Sequence, residues 1–110
     1  MEHVIRIDAS QICDWSTFHS VFQKALGFPG YYGRNMDAWI DCLTYADDPQ
    51  AGMVATPVPR GTVLTLFIED AGRFRNRCPD QYDALIECSA AVNNRRIDHG
   101  EPAVLVLAMS

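Results

Sequence analysis

The segment Thr62–Ile68 most constrains what this chain can fold into. Val63, Leu64, Leu66, Phe67 and Ile68 make it nearly all apolar, which predicts a strand in a sheet covered on both faces. Two shorter aliphatic runs, Val4–Ile7 and Ala103–Leu107, predict a first and a last strand. Neither is close enough to the central run for a hairpin, and helix-patterned segments lie between them. Strands joined through helices pair in parallel. The order strand, helix, helix, strand, helix, strand therefore predicts an α/β fold with a small three-stranded parallel sheet packed by helices.

The first helical pattern places Phe18, Val21, Phe22, Ala25 and Leu26 on one stripe, with Ser16 or Thr17 as N-cap and Gly27 as the stop. In the second, Asn35 caps a helix running to about Tyr45, and Met36, Trp39, Ile40 and Leu43 form the face to be buried. Pro79 sits well at the start of a third helix reaching about Arg96, with Tyr82, Leu85, Cys88 and Val92 inward. The Arg73–Arg77 stretch before it reads as a solvated loop. Asp47–Gly61, with Pro49, Gly52, Pro57, Pro59 and Gly61, predicts an irregular connection long enough to be functional or mobile.

At 110 residues the chain suits one domain, 1–110, with a core that needs no metal or disulfide staples. Fourteen acidic against nine basic residues leave a net charge of -5, which argues against direct nucleic-acid binding or an anionic membrane partner. No apolar run approaches the ~20 residues that span a bilayer. Met1-Glu2-His3 lacks the layout of a secretory leader, so a cytoplasmic protein is expected. Cys13, Cys42, Cys78 and Cys88 are irregularly spaced and read as reduced thiols, Cys42 and Cys88 as small hydrophobes on helices. His3, His19 and His99 are isolated and read as structural or surface residues. No cofactor and no metal ligand set are expected.

Two groups of residues carry candidate chemistry. Asp37 and Asp41 stand four apart on the second helix, about 6 Å along its axis and on one face. Like charges at that spacing cost the helix a few tenths of a kcal/mol, which Asp37 partly recovers at the positive end of the dipole. Between Tyr31 and Gln50 there are four acids and one base. On spacing alone this is a solvated acidic face, or an interaction module for a basic partner. Asp8, Glu69 and Asp70 all follow predicted strands, at the edge where parallel sheets bind ligands. They form the alternative site, Mg²⁺-dependent phosphotransfer. No glycine-rich phosphate loop accompanies them.

The run from Phe28 to Thr44, FPGYYGRNMDAWIDCLT, resembles the signature of the barstar family, intracellular inhibitors of a secreted bacterial ribonuclease. Phe18-His19 and their distance from the Tyr-Tyr-Gly loop resemble that family's first helix. The resemblance implies a barstar-like fold without enzymatic activity. It also implies an immunity or antitoxin role, in which the second helix and the preceding loop plug a basic ribonuclease or nuclease toxin and imitate substrate phosphates. By position, Asp41 matches the dominant acid, Asp37 the supporting one, Tyr31 the aromatic contact, and Gly33 and Asn35 the contacting loop. Ile40 and Thr44 complete the implied interface. Three departures bear on which nuclease is bound. Trp39-Ile40 replaces the usual Leu-Trp order, Arg34 stands where an acid is familiar, and the connection after the helix is longer. For the family's additional glutamate on a later helix, Glu87 is one candidate.

Overall fold

The computed structural model describes residues 3–110; the reading of Met1 and Glu2 as no leader lies outside it. Strand β1 covers His3–Asp8, β2 Leu64–Glu69 and β3 Leu105–Met109. The helices are α1 at Trp15–Leu26, α2 at Met36–Thr44, α3 at Ala71–Arg77 and α4 at Pro79–Asp98. All strand pairs are parallel, in the order β1-β2-β3, as the long helical connections require.

Covering both faces of the sheet is where the sequence expectation fails. Along β2, Leu64, Leu66 and Ile68 are buried while Thr65, Phe67 and Glu69 are only half so. Parallel register extends this alternation sideways. Ile5, Leu66 and Leu107 share the inner face, whereas Arg6, Phe67 and Ala108 share the outer one. Both crossovers step in the same direction across the sheet, so right-handed connections put their helices on the same side. The outer face keeps Val4 and Val106 exposed, and Phe67 is shielded by the Arg6 guanidinium 5.2 Å above its ring.

Helix starts also differ from the sequence reading. The N-cap of α1 is Asp14, not Ser16 or Thr17: its carboxylate accepts from Thr17 N–H at 2.8 Å, while Thr17 Oγ1 accepts from Asp14 N–H at 3.0 Å. A 3-10 turn at Ala9–Gln11 precedes it and buries Ala9 and Ile12. The basic stretch Arg73–Arg77 is not a loop but most of α3, a seven-residue helix without a side-chain cap, which local sequence signals cannot announce. Arg77 on it donates to the carbonyls of Ile12 and Ala9 at 3.1 and 2.7 Å. The last strand begins two residues later than the aliphatic run, because Val104 N–H and Leu105 N–H are both taken by the Asn93 side chain of α4 at 3.0 Å.

The core is built from Ile7, Phe18, Phe22, Trp39, Leu43, Leu66, Ile68, Phe74, Leu85 and Val92, all 0–1% exposed. The Asp47–Gly61 connection is irregular, as expected, but it is tied down. Val54 and Val58 are buried, Ala55 N–H donates to Leu26 O, and Val58 N–H donates to Ala46 O, both at 3.0 Å.

Candidate functional site

The second helix begins where the sequence places it. Asn35 accepts from Ala38 N–H at 2.8 Å, satisfying one of the free amides of the first turn. Its buried residues are Trp39, Cys42 and Leu43, rotated from the expected stripe, and α4 packs along the helix. Met36 and Ile40 are left at the margin, half-buried. The opposite edge presents Asp37, exposed, and Asp41, whose side chain is 51% exposed. Neither carboxylate turns into the interior.

Ahead of α2 the loop is held by α1. Tyr32 is buried, and its hydroxyl lies 2.6 Å from His19 Nδ1 in a hydrogen bond. Burial, aided by the Arg34 charge, lowers the His19 pKa, and burial raises that of the Tyr32 phenol, so both groups stay neutral. Arg34 adopts a left-handed backbone, φ 55°, and its guanidinium donates to Ser16 O at 2.8 Å and Ser20 Oγ at 3.0 Å. These anchors leave Tyr31 75% exposed on the outer side of the loop, its hydroxyl 3.8 Å from Met53 Sδ. The long connection thus reaches the edge of the site.

The acids differ from one another in a way spacing did not show. Arg95 Nη1 on α4 donates to Asp41 Oδ1, and this hydrogen bond raises the Arg95 pKa further. Asp47 is buried and holds Arg96, also buried, through two hydrogen bonds of 2.9 Å. Asp48 faces Arg60 at 3.9 Å. Of the four acids between Tyr31 and Gln50, only Asp37 has no cation within 4.0 Å among the described residues. Burial chiefly raises the Cys88 pKa, and the charges of Glu87 and Asp37 add to it. Where α2 packs on α4, Asp41 is charge-paired across the seam through Arg95.

A family model described as Barstar (barnase inhibitor) matches residues 2–108. The chain belongs to the barstar family. The match runs far beyond the Phe28–Thr44 segment on which the resemblance rests, and the three-stranded parallel sheet with its four helices is a barstar-like fold.

Within this barstar-family chain the sequence-predicted residues fall together on the loop and on α2. Two of them spend their polar groups locally. Asn35 is the cap, and Thr44 Oγ1 donates to Ile40 O at 2.7 Å while its carbonyl accepts from Arg96 at 2.8 Å. Gly33 is exposed in the turn. Arg34, the departure from the family's acid, points its charge into α1 as a tether. Trp39 is fully buried against Phe22, so the aromatic moved by the altered Trp39-Ile40 order belongs to the core.

Sequence reasoning missed Arg95 and the Asp47–Arg96 pair. Partners separated by 54 and 49 positions leave no spacing signal; the available hint was a pair of arginines in the last turn of α4, where basic residues favour the dipole.

The alternative metal site does not assemble. Asp8 caps the 3-10 turn by accepting from Ser10 N–H at 3.1 Å, Glu69 lies 3.8 Å from Arg6, and Asp70 lies 3.8 Å from Arg73. Among the described residues no three His, Cys, Asp or Glu side chains are grouped to hold a metal ion. No described helix is long and apolar enough to cross a membrane.

Proposed function

We propose that this chain inhibits a ribonuclease or nuclease toxin by inserting α2 and the Tyr31–Asn35 loop into its cationic active site. The observation that carries the reading is the outward pair Asp37 and Asp41, one helical turn apart beside an exposed Tyr31, in a chain of the family of the barnase inhibitor. Carboxylates accept paired hydrogen bonds from arginine much as phosphates do, so two of them on a rigid helix stand in for adjacent phosphates of RNA. Tyr31 and Ile40 supply apolar contact around them, and Gly33, Asn35 and Thr44 shape the backbone that approaches the enzyme.

In this reading the chain performs no chemistry, needs no cofactor, touches neither nucleic acid nor membrane, and acts as one domain. It serves as an immunity or antitoxin protein in the cytoplasm, protecting the cell that makes the nuclease. Inhibition of barnase is the direct test. Asp41→Ala should weaken binding by about 2 kcal/mol or more, the size of an interface hot spot, with Asp37→Ala next. Asp8→Ala, at the end of β1 and outside both the loop and α2, should leave inhibition unchanged. Equal inhibition by all three variants would refute the reading. Rescue of cells co-expressing a panel of nuclease toxins identifies the target.

A further inference from the structure

Asp41, the acid to which the proposed inhibition assigns the central role, is already in an ion pair within its own chain. Arg95 comes from the last turn of α4 and is 44% exposed at the side chain, against 51% for Asp41, so both charges stand at the surface a partner would meet. A cation arriving at Asp41 has to displace Arg95 or sit beside it, and like charges placed together at an interface are costly. Arg95 lines a cavity of about 280 Å³ in which the other carboxylates already face cations, Asp48 toward Arg60 and both Asp47 and Glu101 toward Arg96, so a displaced guanidinium gains a free acid only from the partner. The neighbouring Arg96 cannot play this part: it is buried, with donors spent on Asp47, Thr44 O and Pro102 O.

We propose that Arg95 is a specificity-determining residue. It shields Asp41 from nucleases whose active-site surface is uniformly cationic and favours a target that brings, next to its arginine or histidine cluster, an acidic side chain to receive Arg95. The inference rests on the inhibitory reading. It inverts the usual expectation for an interface residue, because removing Arg95 strengthens binding to a cationic site.

The experiment measures inhibition of barnase by the full chain and its variants across a salt series, with circular dichroism to check the fold. Arg95→Gln, which keeps the length and loses the charge, should inhibit roughly tenfold or more tightly than the parent, and Arg95→Glu more tightly still. Arg95→Lys should stay near the parent, because the blocking charge remains. The double variant Asp41→Ala/Arg95→Gln should lose the gain, which a merely structural effect of position 95 would not. Salt should weaken the parent's binding less steeply than that of Arg95→Gln, whose interface charges are more one-signed. If the parent inhibits barnase and Arg95→Gln inhibits it equally or less well, the role of Arg95 is refuted while the inhibitory reading stands. If no folded variant inhibits barnase, Arg95→Gln and Arg95→Glu included, the specificity claim fails. Failure of the parent to neutralise any nuclease toxin in the co-expression panel is the separate result that removes the inhibitory reading.

Discussion

Truncating Asp47 exposes how the α2–α4 seam is held. Arg96 and Asp47 are 3% and 2% exposed, and the guanidinium donates to both carboxylate oxygens, to Thr44 O and to Pro102 O. In Asp47→Ala that cation keeps two carbonyls and Glu101, 3.3 Å away but with a side chain 46% exposed. Stripping a buried ion of its partner costs about 3–5 kcal/mol, and the surviving Glu101 argues for the lower end, about 3 kcal/mol. For a chain of this length each kcal/mol moves the melting temperature by about 4 °C, so a loss of roughly 12 °C is expected. Replacing both charges, in Asp47→Leu/Arg96→Met, should recover most of it, because apolar pairs of similar size often substitute for a buried ion pair without loss. Thermal and urea unfolding followed by circular dichroism at pH 7 measure both variants.

The pair has a pH signature as well. Burial alone would raise the Asp47 carboxyl, but hydrogen bonds from Arg96 and Gly61 N–H hold it below its ordinary value. Its stabilisation is therefore complete above the unfolded value, about pH 4, and is lost as pH falls through the lower folded one. A single variant costing under about 1 kcal/mol, or a double variant no better than the single, would show that water screens the pair and would refute the reasoning.

Other predictions follow from the loop and its supports. With the His19 pKa lowered by burial and by Arg34, the unfolded chain takes up that proton first, so stability should decline as pH drops below about 6.5 until the folded value is reached; urea midpoints of His19→Gln should lose this slope, and an unchanged slope would assign it elsewhere. Gly27 ends α1 at φ +64°, and a Cβ there would lie 2.3 Å from Ala55 Cβ. Gly27→Ala should cost about 2–4 kcal/mol from backbone strain and overpacking, and Gly27→Ala/Ala55→Gly should recover only the packing part; full recovery would mean the backbone is not strained. Cys42 is buried with its thiol pushed up to about 11 by burial and by Asp41, whereas Cys13 is exposed. A thiol reagent at pH 8 should therefore modify Cys13 promptly and Cys42 only on unfolding, and prompt loss of both would show that α2 opens readily.

What the sequence could determine was local. Periodicity located the strands and the three longer helices, because an element that buries one face must repeat its apolar residues at its own pitch. Asn35 and Gly27 marked real helix ends, since a cap and a left-handed stop are satisfied within a few residues. The Asp37–Asp41 spacing and the Phe28–Thr44 resemblance placed the candidate site on α2. Tertiary structure decided the rest. Phe67 carries the same apolar signal as Leu66, yet only the direction of the two crossovers determined that one faces the helices and the other the open side. The same holds for charge: the acids from Asp37 to Asp48 look alike in sequence, and it took the approach of α4 to pair Asp41 with Arg95 and bury Asp47 on Arg96, while Asp37 meets no cation among the described residues. Electrostatic energy depends on distance through space, and partners some fifty positions apart acquire a distance only when the chain has folded.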